Sequence, residues 1–102
     1  MFKSAAPSIN SVVEERRLGR FIFDQELLKT LPAAVFSKIF KQVIPVKVEY
    51  EYEHNWFVVI GYCEQFKSIE VGSQVPNYSC VIRMISRPNG KAYRINFKLI
   101  EG

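Results

Sequence analysis

The spacing of apolar residues changes at Pro45, and this change divides the chain into a helical part and a sheet part. Before Pro45, apolar side chains recur every three or four residues, which is the period of an amphipathic helix. They are Val35, Phe36, Ile39, Phe40 and Val43. After Pro45, apolar and polar residues alternate, which is the period of a half-buried strand. We therefore predict helices within residues 8–44 and antiparallel strands within residues 46–100.

The start of the helical part is predicted from its capping residues. Residues 1–7 are expected to form a flexible arm. Ser8 or Asn10 is an N-cap for a short helix that ends at Leu18. Residues 21–23 form an apolar run, which is either a brief strand or a hydrophobic staple before the next helix.

Two further helices are predicted before the sheet. Asp24 is the expected N-cap of a helix over residues 25–31. Pro32 marks the start of the last helix, because proline is tolerated in a first helical turn. This last helix carries the apolar stripe and is expected to end at Pro45, which cannot donate a main-chain hydrogen bond.

Four strands are predicted, and they form two hairpins. The first hairpin turns at His54 and Asn55, and the second turns at Asn89 and Gly90. Residues 65–77 connect the hairpins and contain a candidate short strand at 69–71. The four strands are expected at residues 46–53, 56–64, 78–87 and 91–100.

The first turn predicts which side chains face each other in the first hairpin. Tyr52 is expected opposite Phe57, and Tyr50 opposite Val59, all on the core face together with Val48. On the other face, the first strand carries charges and the second strand carries apolar side chains. We therefore expect the first strand at the edge of the sheet and the second in its interior.

The second turn gives the corresponding register for the second hairpin. Met84 is expected opposite Ile95, and Ile82 opposite Phe97, on the apolar face. The opposite face is basic and carries Arg83, Arg94 and Lys98.

These elements predict a single α+β domain over residues 1–102. Two or three amino-terminal helices would pack on one face of a four-stranded antiparallel sheet. The helical stripe would then contact the apolar face of the sheet, which consists of Tyr50, Val59, Ile82, Ile95 and Phe97.

Composition narrows the class of protein. Of 102 residues, 48% are apolar, which is too many for a disordered chain and enough for one core. Cys63 and Cys80 are too few for a disulfide framework, so two buried thiols are favoured over one disulfide. The sequence has no apolar run of bilayer-spanning length and no signal-peptide pattern at its start. We therefore expect a cytoplasmic protein that is not in a membrane.

Candidate catalytic and metal-binding residues are few. The chain has one histidine, His54, and one aspartate, Asp24, and the aspartate is better explained as a helix cap. Glu49, Glu51 and Glu53 share one strand face, where a solvated edge is a simpler interpretation than a cation site. We therefore predict no enzyme, no metal and no cofactor.

The leading functional prediction is a protein-binding module, an adaptor or an inhibitor that blocks a larger partner. An apolar stripe on the outer sheet face, framed by charges, has the composition of a protein interface. A homodimer contact, or cover of the stripe by the amino-terminal arm or the 65–77 connection of the same chain, are the alternatives for this surface. The predicted partner-binding residues are Trp56, Val58, Ile60, Tyr62, Glu49, Glu51, Arg83 and Arg94.

Two alternatives stay open. The formal net charge of +4 suits an anionic partner, so the basic face predicts nucleic-acid binding as the first alternative. Its residues are Arg83, Arg94, Lys98, Arg87, Lys91, Arg16, Arg17 and Arg20. The second alternative is a small-ligand pocket or enzyme between helices and sheet, with Tyr50, Tyr52 and His54 at its mouth.

Overall fold

The computed structural model describes the backbone of residues 9–100 and the side chains of residues 11–100. The predicted arm at residues 1–7 lies outside the described residues. Within them, the chain forms three short helices and five strands, so the α+β class with antiparallel pairing is confirmed. The elements are α1 (Ile9–Glu14), β1 (Leu18–Asp24), α2 (Gln25–Thr30), α3 (Ala33–Gln42), β2 (Val43–Glu51), β3 (Trp56–Cys63), β4 (Tyr78–Arg87) and β5 (Gly90–Leu99).

The strands form two sheets, so the prediction of one four-stranded sheet is wrong. A three-stranded antiparallel sheet has the order β1-β3-β2, and β4 and β5 form a two-stranded sheet. The difference arises at Leu18–Asp24, which forms a full strand and takes the second edge of β3. Because both edges of β3 are then paired, the β4–β5 hairpin cannot pair with it.

A short seam joins the two sheets beside β1. Arg20 and Asn77 form an isolated parallel bridge, and the Arg20 main-chain N–H donates to the Pro76 carbonyl at 2.9 Å. The Arg20 guanidinium also donates to the side-chain oxygen of Asn77, at 2.9 Å. The hairpin is therefore fixed next to β1, although the two sheets share only this one bridge.

The core lies between the inner faces of the two sheets. The ring centroid of Phe97 on β5 lies 4.9 Å from that of Phe21 on β1 and 5.0 Å from that of Phe66. From α3, Val35 and Ile39 are fully buried in the same cluster. One apolar cluster therefore holds together both sheets and the longest helix.

The predicted contacts of the helical stripe are partly confirmed. Val59, Ile95 and Phe97 belong to the core cluster, and Ile82 packs against it. Tyr50 is 43% exposed, so it is not a core residue.

Two helices end earlier than predicted, because the residues after them belong to turns or strands. α1 ends at Glu14 rather than Leu18, and Arg16 turns the chain with a φ of +54°. α3 begins directly after Pro32 but ends at Gln42, because Val43 already pairs with Cys63 of β3. The Asp24 cap is confirmed, since its carboxylate accepts from the Leu27 N–H at 2.8 Å.

Both hairpin registers are displaced by two residues from the predicted ones. In the first hairpin, Tyr50 rather than Tyr52 pairs with Phe57, because the connection comprises residues 52–55 rather than 54 and 55 alone. As expected for asparagine at a turn, Asn55 has a left-handed φ of +56°. The predicted faces of both strands survive, because a shift of two residues preserves the side-chain alternation.

In the second hairpin, the loop is Pro88 and Asn89 rather than Asn89 and Gly90. Arg87 pairs with Gly90, and consequently Ile82 pairs with Ile95 rather than with Phe97. A type I′ turn at Asn89 and Gly90 would need positive φ at both residues, and only Gly90 has it, at +137°. Proline has a fixed φ that suits the first loop position instead.

The connection between the hairpins is anchored at its start. Residues 69–71 form no strand, contrary to the candidate assignment. Phe66 is fully buried and stacks on Tyr78 with ring centroids 4.4 Å apart. The Tyr78 hydroxyl accepts from the main-chain N–H of Lys67 at 2.9 Å. These contacts hold the connection against the entrance to β4.

The whole molecule is flat. Its principal extents are 45 × 41 × 22 Å, and the radius of gyration is 14.9 Å. A compact domain of this length would have a radius of gyration of about 13 Å. A thin molecule leaves parts of its sheet faces uncovered, and these faces include the candidate site.

Candidate functional site

The outer face of the three-stranded sheet carries the predicted apolar stripe. Pairing with β1 and β2 places Trp56, Val58, Ile60 and Tyr62 of β3 on this face, and we call them the outer stripe. Helix α1 contacts β3, and its Val12 is buried outside the central core. Val58 is only 6% exposed and the other three residues are half-buried, so the outer stripe is partly covered.

Acidic side chains lie directly beside the outer stripe, as predicted from the alternation. Glu49 pairs with Val58, and Glu51 pairs with Trp56. The indole N–H of Trp56 donates to Glu51 Oε1 at 2.6 Å, and the Trp56 ring lies 4.5 Å from the His54 ring. These contacts fix the orientation of Trp56 at the turn end of the sheet.

The predicted arginines of this surface lie elsewhere. Arg83 and Arg94 belong to the β4–β5 hairpin, where they face each other as a cross-strand pair. The structure therefore separates the eight predicted partner-binding residues into two groups on two sheets. The sequence-based prediction placed all eight residues on one face, because it predicted a single four-stranded sheet.

The hairpin carries a basic face of its own. Four cations share one side of it: Arg83, Arg87, Arg94 and Lys98, which we call the basic face. Lys91 pairs with Ser86 on the opposite side. No acidic residue occurs between Tyr78 and Ile100, so the basic face has no acid within its own sheet.

The amino-terminal arginines make contacts within the protein. The Arg17 guanidinium donates to Glu15 Oε1 at 2.5 Å, and this hydrogen bond lowers the pKa of that carboxyl. It also donates to the Phe66 carbonyl at 3.0 Å. Arg20 is bound to Asn77, and Arg16 is half-buried in the turn after α1. These contacts give Arg17 and Arg20 a role in joining elements.

Edge strand β2 and the turn that follows it expose several large aromatic and aliphatic side chains. Val48 is 53% exposed and Tyr50 43%, and Tyr52, in the following turn, is 76% exposed. We call these three residues the β2 stripe. Val48 and Tyr50 lie on the inner sheet face, as predicted, but this end of the face extends beyond the core and is open.

The β2 stripe is supported from behind by a few ordered contacts. The Tyr50 ring lies 4.9 Å from the Phe57 ring, and its hydroxyl donates to Asn55 Oδ1 at 3.0 Å. Phe40 of α3 is 39% exposed, and its ring lies 6.4 Å from the Phe23 ring. The Tyr50 side chain is therefore held in place by Phe57 and Asn55.

Residues of the predicted small-ligand site come together, but not between helices and sheet. Tyr50, Tyr52 and His54 line a surface cavity of about 330 Å³ together with Glu51 and Glu53. All five residues belong to the first turn and the strand before it. The cavity is thus an open depression at one end of the sheet.

The two cysteines are free thiols. Cys63 is buried and Cys80 is half-buried. Burial raises the pKa of Cys63 and raises that of Cys80 to about 11, with a smaller contribution from Cys63. Neither environment activates a thiolate near neutral pH.

The described residues contain neither a metal-ligand cluster nor a helix that could cross a membrane. No three His, Cys, Asp or Glu side chains in the described part of the chain lie close enough to hold a metal ion. Over the same residues, none of the helices has the length and apolar character needed to cross a bilayer.

Comparison with known proteins adds no assignment. No protein-family model, no curated protein and no solved structure matches this chain. The surfaces described above are therefore the features of this chain that indicate a function. The exposure of the β2 stripe was not predicted, because the alternation of residues placed Val48, Tyr50 and Tyr52 on the core face of the sheet. Pro45 and the three glutamates, which are typical of an edge strand, were the available signals.

Proposed function

We propose that this protein is a non-enzymatic protein-binding module, an adaptor or an inhibitor that covers part of a larger partner. The observation that carries the proposal is the β2 stripe, an exposed apolar row on an edge strand. Exposed large apolar side chains that form a contiguous patch are typical of protein contact sites.

An edge strand supports binding in two ways. Its free main-chain N–H and C=O groups accept an added strand, and alternate side chains supply specificity. Tyr50 and Tyr52 are suited to such a contact, because tyrosine buries a large ring while its hydroxyl stays hydrogen-bonded. Glu49 and Glu51 on the outer face provide a polar rim.

The outer stripe belongs to the same contact region in this proposal. Trp56, Ile60 and Tyr62 are half-buried beside β2, so a partner that wraps around the edge strand would reach both faces. Arg83 and Arg94 would take part only if the partner also extends to the hairpin.

A site-specific photo-cross-linker tests the proposal. The control must be an equally exposed apolar position outside β2 and its turn. Val71 meets this requirement, since it is 82% exposed in the connection between the hairpins. Benzoylphenylalanine is placed at Tyr52 in one variant and at Val71 in the other, in cells that make the protein.

The proposal expects a discrete protein adduct from position 52 and none from position 71. Its mass distinguishes a second copy of this chain from a different protein. Absence of any protein adduct at position 52, with the variant folded, would contradict the protein-binding function.

Nucleic-acid binding is a second candidate, and it is favoured by the acid-free hairpin. Arg83 lies opposite Arg94 without an acidic neighbour in the sheet, an arrangement that costs stability. A phosphate backbone along the basic face would offset this repulsion.

Fluorescence anisotropy with labelled DNA and RNA, at about 50 and about 200 mM salt, tests this candidate. Arg83→Glu with Arg94→Glu should weaken binding and flatten its salt dependence. Lys29→Glu with Lys41→Glu changes the net charge equally at exposed helix positions and should leave most of the binding. Equal losses in the two double variants would exclude the basic face as a specific site.

A further inference from the structure

One edge of β2 is paired and the other is free. β3 pairs with β2 from Val43 to Glu51, and β2 is the terminal strand of its sheet. In residues 9–100, no other strand or loop forms backbone hydrogen bonds with the second edge. Such an edge presents a row of N–H and C=O groups that can pair with another strand.

We infer that the free edge of β2 pairs with the same edge of a second copy of this chain, antiparallel, with the two-fold axis at Val48. The inference rests on the proposed function, because it uses the same edge strand and makes a second copy of this chain one protein that the strand binds. The observation behind it is the pattern of charge along β2.

The two-fold axis must pass through a residue rather than between two residues. Directly opposed residues of an antiparallel pair lie on the same face of the sheet. Val48 and Tyr50 lie on the inner face, and Lys47, Glu49 and Glu51 lie on the outer face. An axis between two residues would place the apolar side chains of one copy on the same face as the charges of the other.

Charge selects one axis among positions 47–50. An axis at Lys47 or at Glu49 places that residue opposite itself, and an axis at Tyr50 places Glu49 opposite Glu51 twice. An axis at Val48 places Lys47 opposite Glu49 of the second copy twice, with no like-charged pair. Directly opposed like charges destabilise a sheet, and opposite charges stabilise it.

The monomer already orders these two side chains. Lys47 Nζ lies 2.6 Å from Glu49 Oε1, and the side chains are 59% and 55% exposed. In the dimer, Lys47 and Glu49 of the two copies lie around the axis on the outer face, and their charges alternate in sign. On the inner face, Val48 meets its own copy and Tyr50 lies nearby, so part of the β2 stripe is covered.

Pairing of this kind is short. Pro45 has no N–H, and the register of β2 against β3 shifts between Pro45 and Lys47. The contact is therefore limited to the residues around Val48, and the two three-stranded sheets become one six-stranded sheet.

Charge exchange tests the axis. Lys47→Glu and Glu49→Lys each create two like-charged pairs, so each should raise the dimer dissociation constant about tenfold. The double variant restores opposite charges and should return to within about twofold of the wild type. Sedimentation equilibrium measures all four proteins, and both positions are exposed enough for the variants to fold.

The double variant also separates this axis from an axis at Glu49. With the axis at Glu49, the exchanged residues would face Glu51 and themselves with like charges, so the double variant would stay dissociated. A dimer that is insensitive to both single variants would overturn the inference as well.

A cysteine pair detects a dimer too weak for sedimentation. Val48→Cys places two thiols across the axis, where strand spacing of about 4.5–5.5 Å between Cα atoms permits a disulfide. Glu51→Cys is the control, since three residues from the axis its thiols lie about 20 Å apart. The inference expects covalent dimer about ten times faster from Val48→Cys than from Glu51→Cys.

Equal rates of disulfide formation, together with a monomer at about 0.5 mM in sedimentation, would overturn the dimer. The protein-binding function would survive that result if position 52 still cross-links a different protein. It would fail only if position 52 gives no protein adduct at all.

Discussion

Gly19 shows how a single small residue shapes the core. A Cβ at this position would lie 2.6 Å from the Phe66 ring, so the ring packs directly on the β1 backbone. The ring has little freedom to move, because it stacks on Tyr78 and also contacts Phe97. A side chain at position 19 therefore conflicts with the anchor of the inter-hairpin connection.

Gly19→Ala should lower the free energy of unfolding by about 1–3 kcal/mol through overpacking. Urea unfolding measures the loss. In a Phe66→Leu background the same change should cost less, because the smaller side chain leaves room for a methyl group. An identical cost in both backgrounds would show that the Phe66 ring is not the obstacle.

Burial of the Cys80 thiol makes the free energy of unfolding depend on pH in the alkaline range. Its pKa rises from 9.0 to about 11 in the folded protein, chiefly because burial disfavours the thiolate. Between these two values the unfolded chain loses the proton and the folded chain keeps it. Stability is thus unaffected below pH 9 and falls as the pH rises toward 11.

Comparison with Cys80→Ala isolates this effect. Between pH 8 and pH 11 the wild type should lose more unfolding free energy than the variant, by on the order of 2 kcal/mol. Tyrosine and lysine titration is common to both proteins and cancels in the difference. Parallel pH profiles of the two proteins would refute the assignment to Cys80.

At the scale of secondary-structure elements, the Gln65 side chain forms hydrogen bonds along the outer edge of β5. The amide oxygen accepts from the Phe97 N–H at 2.9 Å, and the amide nitrogen donates to the Ile95 carbonyl at 3.1 Å. The same nitrogen donates to Gln42 Oε1 at 3.0 Å. One side chain thereby substitutes for a neighbouring strand and ties the hairpin to the helix end.

Gln65→Leu should destabilise the protein by about 1–3 kcal/mol, since it leaves partly buried main-chain groups without partners. Hydrogen exchange by NMR should show faster exchange at the Phe97 amide. Gln74→Leu, at an exposed position in the same connection, is the control and should leave that amide unchanged. Unaltered Phe97 exchange in Gln65→Leu would contradict the edge role.

At the scale of the whole molecule, both sheets bury their inner faces in one apolar core. They share a single bridge at Arg20 and Asn77, but Phe21 and Phe97 pack across the boundary. Neither sheet can keep its inner face buried after the other has separated. The fold should therefore unfold as one unit despite its flat shape.

Two probes on different sheets test this cooperativity. Trp56, the one tryptophan of the chain, reports on the three-stranded sheet, and a fluorinated Tyr93 reports on the hairpin. Their urea transitions should coincide. An earlier transition at Tyr93 would show that the hairpin detaches first.

Sequence periodicity determined the class, most strand positions and the faces. Tyr78–Arg87 matches its predicted bounds, and, as predicted, β2 is an edge strand and β3 is interior. Pairing within each hairpin was wrong by two residues. A two-residue shift leaves every side chain on its own face, so alternation cannot distinguish the two registers.

Tertiary structure alone decided the number of sheets and the exposure of the candidate site. By local pattern, residues 21–23 are compatible with a hydrophobic staple or a brief strand. Pairing with β3, distant in sequence, makes Leu18–Asp24 the full strand β1. That pairing excludes the second hairpin from the sheet and separates Arg83 and Arg94 from Glu49 and Glu51. It also leaves Val48 and Tyr50 beyond the core, because burial depends on what packs above a face, and alternation specifies only which face a side chain occupies.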